Sequence, residues 1–345
     1  MKIEAGMIAV LTGGGSGIGR ALSRQLTAAG VHLAICDVQE QGLAETRELC
    51  LAGAPAGTRV STFRADVSNE ADLLAFRDAV GGEHATDRIQ LLFNNAGIGG
   101  GGSFVAGGRA EWERTFGICW GGVYLGCRTF LPMLQAAERG HIVNVSSVNG
   151  FWATLGPQVS HTAYSAAKFA VKGFTEALLN DLRLHAPHLT CSVVMPGHIG
   201  TSIVMNTGKV LGVGDAQTMS AETLAKVRDR MVRGGTVAAD VSDAALRELL
   251  HKQAQSFRDE APTTADQAAA IILDGVRAGR WRILVGRDAQ RLDEMVRANP
   301  EGAYEPGFAD AWRFGEQGVQ EQGVQGQDPD RDSNQGRGQG SSGQG

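Results

Sequence analysis

The sequence predicts an α/β fold, a doubly wound parallel sheet with helices on both faces. Three observations predict it. Short apolar, β-branched runs alternate with helical segments along most of the chain, and that alternation gives parallel strands joined by crossover helices. Right-handed crossovers make the doubly wound sheet the simplest arrangement of such units. A glycine-rich turn stands between the first strand and the first helix, and Asp37, Asp66, Asn94–Gly97, Ser147 and Pro196–Thr201 all fall where strands end, the edge at which ligands bind in such sheets.

The first strand is read at residues 7–12. Gly13-Gly-Gly-Ser16-Gly17-Ile18-Gly19 follows, then a helix over 20–29 closed by Gly30. Strand, glycine turn and helix form the setting that a dinucleotide requires: backbone N–H groups can approach a pyrophosphate, and the helix N-terminus adds partial positive charge. A second strand, 32–37, ends on Asp37, about twenty residues past the turn, where a carboxylate can accept from both hydroxyls of an adenosine ribose. It would repel a 2′-phosphate, since like charges about 4 Å apart interact by about 4 kcal/mol at an effective dielectric of 20. No arginine follows Asp37 directly, so NAD is expected over NADP. The competing reading of Asp37 is an N-cap for the helix that follows.

That helix spans 41–51, and a third strand covers 59–64. Asp66-Val67-Ser68 then caps a helix over 69–80, with Asp66 either a site residue or a turn residue. The fourth strand, 89–94, ends on Asn94, and Asn95-Ala96-Gly97 follows. Gly99 to Gly102 is an unbroken glycine run, expected to be a mobile loop. Residues 109–136 read as a long helical region whose middle is rich in glycine (Gly117, Gly121, Gly122, Gly126). Glycines lower helix propensity but permit close helix contact, as at a subunit interface. A fifth strand over 141–147 carries Ser146 and Ser147 at its end.

The next helix runs to about residue 185 and holds Tyr164-Ser-Ala-Ala-Lys168. Residues four apart share a helix face. An ammonium there should lower the tyrosine pKa from about 10 toward the working pH, making a general acid/base. A sixth strand, 190–195, ends at Pro196-Gly197. Residues 198–261 break the rhythm with two amphipathic helices, about 221–232 and 242–252; the segment is either a lid over the site or a peripheral packing element. A helix over 264–278, a strand at 282–285 and a last helix from about Ala289 resume it.

Composition bounds the rest. An apolar fraction of 43% suffices for a full core, and a net charge of −5 excludes the basic footprint of a nucleic-acid binder. The five cysteines are scattered and lack metal-ligand spacing, which suggests free thiols, a reducing cytoplasmic setting and no metal. The start enters an apolar strand at once without a signal-peptide pattern, and no apolar run reaches the roughly 18 residues that span a membrane. Residues 1–314 are expected to form one domain, including the 198–261 insertion. In 315–345, seventeen of 31 residues are Gly or Gln, a composition expected to stay disordered.

Six motifs in order carry a resemblance: Thr12-Gly-x-x-x-Gly-Ile-Gly19, Asp66-Val67, Asn94-Asn-Ala-Gly97, Ser147, Tyr164-x-x-x-Lys168 and Pro196-Gly197. The chain resembles the classical short-chain dehydrogenase/reductases, closely over 7–195 and more loosely over 263–300. The resemblance implies a single Rossmann sheet of about seven strands in the order 3-2-1-4-5-6-7. It implies NAD(P)-dependent interconversion of an alcohol and a ketone or aldehyde, in a homodimer or homotetramer. Carried over, Tyr164 is the acid/base, Lys168 lowers its pKa and holds the nicotinamide ribose, and Ser147 orients the substrate oxygen, with Ser146 its competitor. Gly13, Ser16, Gly17, Ile18, Gly19, Asp37, Asp66, Val67, Asn94, Ala96, Gly97 and Pro196 join the cofactor site, and Thr201 and the backbone near Ile199 meet the carboxamide. Ser16 stands where NADP users often carry a basic residue.

Two departures stand out. Where the family usually has a relay asparagine, this chain has Cys119, and a thiol is a weak donor and acceptor. Ser147 and Tyr164 lie 17 apart, against about 13 in the family. The extra residues, 151–162, include Phe151, Trp152, Leu155, Pro157 and His161, either an apolar wall for a bulky substrate or a surface loop. His161 and His198 could touch substrate or be structural. The alternative function is a non-catalytic NAD(H)-binding relative, a sensor or scaffold.

Overall fold

A computed structural model describes residues 1–156, 159–233 and 235–309. The strands are β1 (Ile8–Thr12), β2 (His32–Asp37), β3 (Val60–Arg64), β4 (Leu91–Asn94), β5 (Gly140–Val145), β6 (Leu189–Pro196), β7 (Ile199–Gly200), β8 (Thr263–Thr264) and β9 (Arg282–Val285). The helices are α1 (Gly17–Ala28), α2 (Glu40–Gly53), α3 (Glu70–Glu83), α4 (Arg109–Phe116), α5 (Gly122–Gln135), α6 (Thr162–His185), α7 (Ile203–Val210), α8 (Ala221–Arg233), α9 (Asp243–Asp259), α10 (Ala265–Arg277) and α11 (Arg287–Ala298).

Seven parallel strands form one sheet in the order β3-β2-β1-β4-β5-β6-β9, the expected order with the 282–285 run as the seventh strand. Apolar residues fill both faces because helices cover both. Side chains alternate along each strand, so Ala9 and Leu11 of β1 join a core with α1, α2 and α10. Ile8 and Val10 of the same strand join a core with α3, α5 and α6. A third, smaller core collects Val148 and Trp152 against Leu292, Val296 and Ala303. No helix among the described residues is long and apolar enough to cross a membrane.

Four expectations change. The 109–136 region is α4 and α5 joined through a π-helical turn at Gly117–Gly121, where the Gly122 N–H reaches the Gly117 carbonyl. Two of its glycines serve packing within the chain. A Cβ on Gly126 would sit 2.2 Å from Asn94 Oδ1, and one on Gly122 2.7 Å from Val67. The Gly99–Gly102 run is tied down: Gly99 N–H donates to Thr207 Oγ1 and Gly101 N–H to Glu111 Oε1. The Gly101 and Gly102 carbonyls accept from the backbones of Ala163 and Thr162. Its middle two positions leave no room for a side chain: a Cβ on Gly100 would lie 2.8 Å from Leu211 and Thr115, and one on Gly101 2.4 Å from that of Ala163.

The third change is in 198–261, which holds three helices, since α7 precedes the two expected. Its short, half-buried apolar stretch carries too little periodicity to be read alone. The fourth concerns 151–162. Trp152 turns away from the site and donates through Nε1 to the Ala303 carbonyl at 2.8 Å, while Phe151 packs on the third core. Of the apolar wall only Leu155 and His161 face the cavity. Pro157 and the 315–345 segment lie outside the described residues.

Candidate active site

The C-terminal ends of the strands open into one cavity of about 390 Å³. Gly13, Ser16, Gly17, Ile18, Gly19, Asp37, Asp66, Val67, Ala96, Gly97, Ser147, Tyr164, Lys168, Pro196, Ile199 and Thr201 all line it. Asn94 does not. Still within β4, it points between the sheet and α5, where its Nδ2 donates to Asn144 Oδ1 at 2.9 Å and to Cys127 Sγ. Its neighbour Asn95 takes the place at the cavity wall. Asn95 Nδ2 bonds the Thr12 and Gly13 carbonyls, and Thr12 Oγ1 accepts from the N–H groups of Asn95 and Ala96. These bonds lock the ends of β1 and β4 together under the glycine turn.

The turn fits a dinucleotide. Gly13 and Gly17 have φ of +71° and +51°, which a side chain would strain. A Cβ on Gly19 would lie 2.0 Å from the Gly13 carbonyl oxygen. Helix α1 begins there with no side-chain cap and no acidic residue in its first turn, so its leading N–H groups and positive dipole end remain for an anion. Asp37 braces the turn, Oδ2 accepting from Gly15 N–H at 3.0 Å. Arg20, the nearest cation in sequence, is committed to the Gly15 carbonyl, Thr46 and Glu45.

Asp66 accepts from Arg114 at 2.6 Å and from the Ser68 hydroxyl at 2.7 Å. Burial opposes its charge, but Arg114 and Ser68 outweigh burial and hold the carboxyl below its usual range. Arg114, from α4, lines the cavity; no local motif marked it, because its partner is 48 residues away.

At the other end, Ser147 Oγ accepts from Asn149 N–H at 3.1 Å and hydrogen-bonds the Tyr164 phenol. Ser146, the competitor, spends its hydroxyl on the Lys168 carbonyl at 2.7 Å. Lys168 is buried, and its Nζ donates to the Val145 carbonyl at 2.9 Å, 5.4 Å from the centroid of the Tyr164 ring. The expected fall in the tyrosine pKa does not occur. Burial, with a smaller contribution from Cys119, pushes the phenol well above its ordinary value against the pull of the Ser147 hydrogen bond. Burial also pushes the Lys168 ammonium down, since desolvation penalises whichever form is charged.

Cys119 is fully buried in the π-helical turn, and its S–H donates to the Ile98 carbonyl at 3.3 Å. His198 is held in place: its Nε2 donates to the Phe257 carbonyl at 2.7 Å and its ring lies 4.3 Å from that of Phe257, tilted by 38°. Its N–H donates to Asp288 Oδ2 at 2.6 Å. Asp288 was not singled out from sequence. From the first turn of α11 it fills the gap that Gly197 and Gly286 leave, and burial pushes its carboxyl up. Glycines flanking a distant acid are the only sequence trace of that contact. Asn206 of α7 donates to Ser16 Oγ at 3.1 Å, so the inserted segment touches the glycine turn directly. No cluster of metal-ligating groups occurs among the described residues.

The family profile described as short chain dehydrogenase matches residues 7–212. The oxidoreductase SadH of Mycobacterium tuberculosis is 35% identical over 299 residues, 86% of this chain and 92% of that protein. A short-chain dehydrogenase/reductase from Burkholderia phymatum, solved in complex with NAD, has a TM-score of 0.69 at 30% identity, covering 89% of this chain and 98% of its own. A metagenomic short-chain oxidoreductase, solved with NADP, has a TM-score of 0.50 at 31% identity, covering 57% of this chain and 84% of its own. The fold is thus one that binds a nicotinamide cofactor, and the chain belongs to the short-chain dehydrogenase family of oxidoreductases.

Proposed function

We propose that this chain is an NAD-dependent oxidoreductase that interconverts an alcohol and a ketone or aldehyde, on a bulky apolar substrate. The observation that carries the reading is the meeting of Ser147, Tyr164 and Lys168 at one cavity with the glycine turn and Asp37. A nicotinamide dinucleotide, when bound, supplies or accepts the hydride. The turn from Gly13 to Gly19 would hold its pyrophosphate and Asp37 its adenosine ribose. Ala96, Gly97, Lys168, Pro196, Ile199 and Thr201 would hold its nicotinamide half, with Asp66 and Val67 at the far end.

In reduction, Ser147 orients the carbonyl oxygen and Tyr164 gives it a proton. The raised phenol pKa keeps Tyr164 protonated through neutral pH, the state an acid needs. In oxidation Tyr164 takes the proton back, so that direction gains as pH rises. Once the phenol has given its proton, the Lys168 ammonium stabilises the phenolate. Anchored on the Val145 carbonyl, it loses little freedom in doing so. Asp37, with Arg20 turned to other partners, supports NAD over NADP. Apolar side chains from α7 and Phe257 of α9 line the cavity, which supports 198–261 as a lid and a bulky apolar substrate. The five buried free thiols support a cytoplasmic setting, and the family resemblance supports a homodimer or homotetramer, which sedimentation would measure.

Tyr164→Phe tests the reading. It should keep cofactor affinity, followed by NADH fluorescence, and lose turnover by about 10³-fold; retained turnover sinks the assignment. Asp37→Ala should narrow the ratio of kcat/KM for NAD over NADP, and an unchanged ratio removes Asp37 as the reader of the ribose.

A further inference from the structure

The substrate end of the cavity is apolar, with Val148, Leu155, Ile203, Val204, Val210 and Phe257 in its wall. Its polar side chains are engaged elsewhere. Asn149 Nδ2 donates to the Trp152 and Thr154 carbonyls, His198 bonds Phe257, and Asn206 bonds Ser16. His161 is different. It lines the cavity, its ring lies 4.6 Å from that of Tyr164 at an interplanar angle of 39°, and among the described residues its ring nitrogens have no hydrogen-bond partner.

The position of His161 is fixed. It is the N-cap residue of α6, one turn before Tyr164, and its carbonyl accepts from Ser165 N–H. The next two backbone N–H groups bond the Gly102 and Gly101 carbonyls. Burial pushes its pKa down to about 4, so near neutral pH the ring offers one N–H donor and one lone pair. A polar group in an apolar wall without a partner favours a ligand that supplies one, and discriminates against the analogue that lacks it.

We propose that His161 reads a second oxygen on the substrate. The preferred substrates are then apolar ketones and secondary alcohols carrying a hydroxyl, ether or carbonyl oxygen beside the reacting carbon. This rests on the oxidoreductase reading above. It gives the 151–162 insertion a function that neither a plain apolar wall nor a surface loop supplies.

Acetophenone and 2-hydroxyacetophenone are a matched pair for the test, each reduced by the full chain with NADH and with NADPH. The wild-type kcat/KM should favour the hydroxyketone by about 5- to 100-fold. His161→Leu should bring the ratio near one, lowering the hydroxyketone value by more than the acetophenone value. His161→Gln, which keeps a donor and an acceptor, should retain part of the preference. Turnover of both ketones at a ratio that His161→Leu leaves unchanged overturns the assignment of His161 alone. So does a wild-type preference for acetophenone. Turnover of neither ketone with either nicotinamide overturns the oxidoreductase reading and this proposal with it.

Discussion

The cofactor half and the inserted 198–261 segment are built by different rules. In the first, α1 buries six residues against the sheet, and its turn admits no Cβ at Gly19. In the second, α7 has no fully buried residue, α8 has only Leu224, and α9 has Leu246 and Ala254. Yet both line the same cavity. A dinucleotide presents constant chemistry, so its site can be fixed by backbone geometry. A substrate pocket must have a shape, and helices that rest on the cavity rather than in the core can supply one without disturbing the sheet.

The largest effect should come from breaking the rigid half at its tightest point. Gly19→Ala puts a Cβ 2.0 Å from a backbone carbonyl, where no flexible side chain can move aside. Overpacking costs about 1–3 kcal/mol or more, and here it distorts the turn itself. NADH affinity should fall by about 100-fold, measured by fluorescence titration, on the premise that a misplaced anion-binding backbone loses its hydrogen bonds. Unchanged affinity would mean that the turn is softer than its packing implies.

Next in size is a matched pair of truncations. Leu11 and Leu224 are both 0% exposed, but Leu11 lies in a central strand and Leu224 on α8. Leu11→Ala should cost about 3–5 kcal/mol of global stability in urea unfolding. Leu224→Ala should cost under about 1 kcal/mol globally and instead speed amide exchange in α8 and α9, because that segment can open without the sheet. Equal global costs would make the inserted segment part of one cooperative core.

This contrast also sets what could be read from sequence. The alternation of strands and helices was legible from local patterns, as was the meeting of the glycine turn, Asp37 and the 164–168 pair at one sheet edge, whereas the strand order came from the family resemblance. Asn94 was misread by one position: it is the last residue of its strand, and only the packing against Gly126 shows which way it faces. Trp152 was read as either cavity wall or surface loop and is neither, because its partners, Ala303 and Phe308, lie some 150 residues away. Asp288 and Arg114 were missed because their partners are likewise distant in sequence, and α7 because its short stretch carries too little periodicity. The tyrosine pKa was predicted from the lysine alone, whereas burial, which only the fold creates, dominates it.

A smaller, graded effect should separate the halves by pH. His84 and His141 lie buried in the sheet half, with pKa values lowered by burial to about 4 and about 3. Each is neutral when folded, so their contribution is fully present above the unfolded value of about 6.5 and is lost as pH falls toward the folded values. His141 sits between the hydroxyls of Thr190 and Ser192 at 2.7 and 2.8 Å, a site with no room for charge. Urea midpoints should decline between pH 6.5 and 4, and amide exchange should show β5 and β6 weakening along with global unfolding. A decline confined to α8 and α9 would reverse the comparison.

The smallest effect tests the residue where this chain departs most from its family. The family resemblance puts Cys119 at the relay position, but its S–H is given to the Ile98 carbonyl and the residue is fully buried, outside the cavity lining. A thiol so engaged has no donor left for a proton path to Tyr164. Cys119→Ser keeps the size and the bond to Ile98, so kcat should stay within about twofold at every pH, with the profile still set by Tyr164. A loss above tenfold at unchanged KM would give the thiol a part in proton transfer and move the relay back inside the protein. Without that loss, a backbone group and water carry the proton that Tyr164 exchanges in place of the thiol.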